Sequence, residues 1–155
     1  MRMLLLFLSL GYLPISAQVL VRINEAPPAT ISAAEFAALP RHNAVVDDHG
    51  KHVTYEGALL HDVVEKAGFK FGTGLRGKQL SSYVLAVASD GYQVVFALAD
   101  LDPTIGDTGV IVADKRDGQA LTANEGTLRI VAPNDKRPAR SVRLLREIDV
   151  VQLNK

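Results

Sequence analysis

The chain has no cysteine. That excludes a disulfide framework, a thiolate nucleophile, thiolate metal ligands and a cysteine-held iron–sulfur cluster. It also has no excess charge of either sign: 17 lysines and arginines face 17 aspartates and glutamates. A balanced chain gives no electrostatic case for nucleic acid. No apolar run is long enough to span a bilayer as a helix. There is no internal repeat and no low-complexity tract. The four histidines, His42, His49, His52 and His61, show no helical i, i+4 pair and no third ligand at a zinc-like spacing, so a metal site is not expected. No Ser-His-Asp or paired-carboxylate order can be read, and no catalytic residue is assigned. The glycines from Gly72 to Gly77 lack the strand–loop–helix frame and the Gly-Lys-Ser/Thr ending of a phosphate loop.

What is present begins with a leader. Met1-Arg2 is followed by the short apolar run Met3–Tyr12, then Pro14 and the small residues Ser16 and Ala17. That is the layout of a secretory signal peptide over residues 1–17, cut after Ala17, the alternative being an uncleaved membrane anchor. Export to the periplasm follows, with one domain over residues 18–155. Losing Arg2 with the leader leaves one basic residue fewer than the acidic total.

Within the domain, Gln18–Asn24 alternates apolar and polar residues and predicts a strand. Ser32 and Glu35 form a capping box for a short helix over Ala33–Leu39. His42–Tyr55 predicts two strands around a turn at Asp48-His49-Gly50. Ala58–Ala67 predicts a helix with Leu59, Leu60, Val63 and Val64 on one face and Gly68 as its C-cap. Phe69–Gln79 is a glycine-rich loop. Leu80–Ala88 and Tyr92–Ala97 form a hairpin turned by Ser89-Asp90-Gly91, with Leu85, Val87, Val94 and Phe96 expected in the core. Strands follow over Gly109–Asp114, Thr127–Ala132 and Glu147–Leu153, with helical turns at Ala99–Leu101 and Ser141–Arg146. Strands outnumber the short helices, which predicts an α+β domain on a mixed or antiparallel sheet.

The segment Pro133–Ser141 (PNDKRPARS) is the main site candidate. It follows a strand and holds a carboxylate, an amide, a hydroxyl and three cations. Such a loop is either a ligand-binding edge held by a rigid sheet or a solvated turn. Asp90-Gly91 is by itself ordinary hairpin chemistry.

Four segments carry a resemblance. Tyr55–Val64 (YEGALLHDVV) is similar to a YxGxxLxDLL pattern. Ser89-Asp90-Gly91-Tyr92 with Phe96–Leu101 (FALADL) forms a second. Ile111–Asp114 with Gly118, Leu121 and Gly126 forms a third. Leu128–Pro133 with Arg140-Ser141-Val142-Arg143 is similar to LRLVxPxxxxxRxVKWL. Together, over about Ile31–Val151, they resemble the oxidoreductase molybdopterin-binding domain, the sulfite oxidase-like fold. Enzymes of that family hold molybdenum through a cysteine thiolate, which this chain does not have. The resemblance therefore implies a pterin-type ligand without molybdenum, as in small exported members that act as sensor or carrier with a membrane signalling partner. The alternative it leaves open is a molybdopterin-dependent oxidoreductase, or its subunit, without a cysteine ligand. It places the ligand on Asn134, Asp135, Arg137, Arg140 and Ser141, with His42 and Tyr92 as further pocket residues. Asp135 would accept from the ring edge. Arg137 or Arg140 would touch the ring face or its carbonyl.

Overall fold

The computed structural model describes residues 17–72, 75–106 and 108–153. The leader, apart from Ala17, lies outside the described residues, as do Thr73 and Gly74 of the glycine-rich loop.

Among the described residues, two five-stranded sheets share one core. The first has the order β2-β1-β10-β5-β6, from β1 (Val19–Ile23), β2 (Ala29–Ile31), β5 (Tyr83–Ala88), β6 (Gln93–Ala97) and β10 (Leu145–Val151). Only the β1–β10 pairing is parallel, so this sheet is mixed. The second is antiparallel: β3 (His42–Asp48), β4 (Lys51–Leu59), β7 (Ile111–Arg116) and β8 (Gln119–Ala120) in that order, with β9 (Arg129–Val131) also paired to β7. Among the described residues, three short helices, α1 (Ala33–Ala37), α2 (Leu60–Lys66) and α3 (Leu98–Leu101), complete an α+β architecture.

The main core takes Val19, Val21, Val84, Ala86, Phe96, Ile148 and Val150 from the first sheet. It takes Ala58, Val112 and Ile130 from the second, and Phe36, Leu60, Val63, Val64 and Leu98 from the helices. Side chains alternate across a strand. Ile111, Ala113 and Val131 therefore point away from that core, and they build a smaller apolar cluster with Ala44, Val53 and Tyr55 on the outer face of the second sheet.

Local signals behave as the residues predict. Ser32 Oγ accepts from the Glu35 amide at 3.3 Å, and Glu35 Oε2 accepts from the Ser32 amide at 3.0 Å. The β3–β4 turn has His49 at φ 55° and Gly50 at φ 81°, the left-handed pair that a type I′ hairpin needs.

Three expectations are corrected. Tyr55–Leu59 is strand, and α2 starts only at Leu60. Gly57–Leu59 pair with Ile111–Ala113, and a Cβ at Gly57 would meet the Val112 carbonyl oxygen at 1.9 Å, so the glycine lets β4 and β7 close together. Ser141–Arg146 forms no helical turn; a 3-10 turn lies just before it at Pro138–Arg140, and Leu144 takes φ 54°. In β5 the main cluster takes Val84, Ala86 and Ala88; Val87 is buried as expected, while Leu85 is only partly buried and lies outside both apolar clusters. Every residue of β5 but Tyr83 is aliphatic, so no alternation marks its inner face.

Candidate functional site

A cleft of about 730 Å³ opens on the outer face of the second sheet. One wall is the end of the β3–β4 hairpin, Val45–His49. The opposite wall is the loop after β9, from Ala132 to Arg143, together with Asp90 and Tyr92 at the tip of the β5–β6 hairpin. Tyr55, Arg116, Glu125 and Arg129 line it from the sheet itself.

These last four form a single charged cluster. Arg129 is 9% exposed and Glu125 4%. Glu125 Oε1 accepts from Arg129 Nη1 at 2.6 Å, from the Tyr55 hydroxyl at 2.9 Å and from Arg116 Nη1 at 3.4 Å. Its other oxygen accepts from the Thr122 hydroxyl at 3.0 Å. Burial pushes the Glu125 carboxyl up, but the hydrogen bonds from Tyr55, Arg129 and Thr122 outweigh it and hold it down at about 2. Burial raises the Tyr55 phenol. The guanidinium carbons of Arg129 and Arg116 lie 4.5 and 5.7 Å from the Tyr55 ring centre, so the aromatic face offsets part of the cost of burying cations. The cluster makes a rigid, ionised floor.

The loop wall is also held from within. Arg140 grips Asp135 bidentately, Nε to Oδ2 at 2.8 Å and Nη2 to Oδ1 at 2.6 Å, and lies over the Phe96 ring at 5.0 Å. That carboxylate raises the Arg140 guanidinium. Ser141 Oγ accepts from the Ala132 amide at 3.1 Å, which pins the base of the loop. The Tyr92 hydroxyl donates to the Ala139 carbonyl at 2.6 Å and ties the two elements of the wall together.

Of the residues read as a site from the sequence, Tyr92, Asp135 and Ser141 line the cleft. Asn134 turns its amide to the Thr108 carbonyl at 2.9 Å. Arg140 supports the wall through Asp135. Arg137 and His42 are not among the lining residues. His42 starts β3, opposite Gly57, at the end of the strand away from the hairpin turn. The sequence reading missed the floor. One signal for it existed: Arg129 stands alone among the apolar residues of Leu128–Ala132, and a charge inside a buried strand needs a partner.

No protein-family model matches the chain, and no curated protein matches it. Among solved structures, part of the sulfane dehydrogenase SoxCD from Paracoccus pantotrophus has a similar fold. The TM-score is 0.65 at 15% identity, over 86% of this chain and 37% of that one. This chain thus spans little more than a third of the length of the protein it matches.

Proposed function

We propose that the chain is an exported pterin-binding module with a sulfite oxidase-like fold, working without catalysis as a sensor or carrier for a membrane signalling partner. The fold likeness to a sulfane dehydrogenase and the four sequence segments support the fold half of this reading. The composition of the cleft supports the ligand half. Its apolar lining, Val45, Val46, Val131, Pro133 and Tyr92, is interleaved with acceptors and donors. Among the described residues, Lys136 and Arg143 have no ion-pair partner. Asp47 and Asp90 each use one oxygen on a turn amide, which leaves the other for a ligand. A flat heterocycle with N–H groups, an exocyclic amine and a carbonyl matches such a mixed lining.

The metal half of the family's cofactor does not fit. The chain offers no thiolate, and among the described residues no three histidine or carboxylate side chains gather at one point. No step through molybdenum is derived.

Calorimetric titration with a reduced and an oxidised pterin tests the reading. Arg143→Ala removes an uncommitted donor, and Asp135→Asn loosens the wall. A charge-assisted hydrogen bond contributes about 1.5–3 kcal/mol, so each variant should bind roughly 10- to 100-fold more weakly. Lys115→Ala, which leaves the cleft alone, should bind like wild type. Wild type that takes up neither pterin at millimolar ligand ends the pterin reading. Molybdenum near one atom per chain in protein from the native host would instead favour the oxidoreductase.

A further inference from the structure

We propose that β3 is a self-association edge through which two copies of this chain pair antiparallel about a twofold axis at Val45. β3 ends the second sheet, and among the described residues only β4 pairs with it. Its seven residues hold register with β4 from His42 to Asp48 without a bulge. It contains no proline and no lysine. Proline, lysine, bulges and very short strands are the devices that block edge-to-edge pairing. Two other terminal strands are blunted by length, with three residues in β2 and two in β8. At the middle of β3, Val45 is 56% exposed, the most exposed large apolar side chain among the described residues.

The strand is also complementary to itself. With Val45 against the partner's Val45, Ala44 meets the partner's Val46, Asn43 meets the partner's Asp47, and His42 meets the partner's Asp48. Apolar residues pair in the centre and polar residues of matching chemistry pair at both ends, with no like charges opposed. A twofold makes every such contact twice, which is the isologous form of most homodimers. A slip of one residue would set Ala44 against Asp47 and His42 against His49, and would turn the two clefts to opposite faces of the joined sheet.

This pairing changes the composition of the cleft. Val45–Asp48 line its hairpin wall. Within one chain His42 lies at the far end of β3; in the dimer it stands beside the partner's Asp48, on the rim of the partner's cleft. That consequence rests on the cleft being the ligand site, whereas the pairing itself does not.

The absence of cysteine makes the test direct. Directly opposed antiparallel residues have Cα atoms about 4.5–5.5 Å apart, inside the range a disulfide spans. Under mild oxidation Val45→Cys should become almost entirely a covalent dimer. Asn43→Cys alone and Asp47→Cys alone should not, but an equimolar mixture of those two should cross-link. Val95→Cys, on β6 and 49% exposed, is the control and should stay monomeric on a denaturing gel. Light scattering of wild type should give twice the single-chain mass. Val45→Lys, which sets two cations at the axis, should give the single-chain mass while still melting cooperatively, at a temperature that no longer depends on protein concentration. A monomeric wild type across a concentration series to millimolar, or cross-linking through Val95 but not Val45, overturns the proposal. Both readouts are independent of pterin, so failure of the ligand reading leaves them interpretable.

Discussion

At the scale of single residues, the decisive feature is a carboxylate that stays charged while buried. Glu125 has five hydrogen-bond donors around its two oxygens, from Tyr55, Arg116, Arg129 and Thr122. Removing one partner of a buried ion pair leaves the other uncompensated, so Glu125→Ala should destabilise the protein by about 3–5 kcal/mol at neutral pH. The pH dependence has a definite sign. The folded-state value, about 2, lies below the ordinary 4.5. The stabilisation is therefore fully present above pH 4.5 and is lost as pH falls toward 2, amounting to ~3 kcal/mol across that window. Urea unfolding at a series of pH values should show the gap between wild type and Glu125→Ala closing in acid. A gap that is constant from neutral pH to pH 2 would show that Glu125 is not held ionised by this cluster.

At the scale of elements, the β5–β6 hairpin has two functions on two faces. Inward, it gives Val84, Ala86 and Phe96 to the core. At its tip it gives Asp90 and Tyr92 to the cleft. Phe96 is 1% exposed, and truncation to alanine should cost about 3–5 kcal/mol. Leu85, one residue from two core positions but on the opposite face, should cost clearly less when truncated. Thermal or chemical melts of the two variants test the register. Equal losses would mean that β5 buries both faces and that the hairpin sits differently. Because Arg140 lies over Phe96, the Phe96→Ala variant should also loosen the cleft wall, whereas Leu85→Ala should leave it in place.

At the scale of the whole molecule, the two sheets divide the work. The first closes the core with a parallel β1–β10 pairing that brings the N-terminal strand beside the last one. The second carries the cleft on its outer face and ends in the β3 edge. Val19 is fully buried, so a cut after Ala17 leaves the first core residue within the mature chain. On the proposed cleavage, N-terminal sequencing of secreted material should read from Gln18. Recovery of intact Met1 in the membrane fraction would overturn the export reading, and with it the proposed contact with a periplasmic partner.

Local chemistry settled much of this before folding. The Ser32–Glu35 capping box, the His49-Gly50 turn and the strands around Asp90-Gly91 depend on neighbours a few residues away, and those are legible in sequence. So was the α+β class, because short alternating segments cannot bury themselves as helices. The loop from Pro133 to Ser141 was visible as a polar, cation-rich segment after a strand. Its internal wiring was not: nothing local says that Arg140 spends its donors on Asp135, or that Asn134 turns to Thr108. The floor of the cleft depends on distance along the chain even more. Tyr55 and Glu125 are 70 residues apart, and Tyr55 and Arg129 are 74 apart. Only the pairing of β4 and β9 with β7 brings them together. The face of β5 was undecided for a similar reason, since a run of aliphatic residues packs equally well either way until the opposite sheet is in place. Sequence determined which residues carry chemistry and which turns they flank. The long-range strand pairing decided which of them share a site.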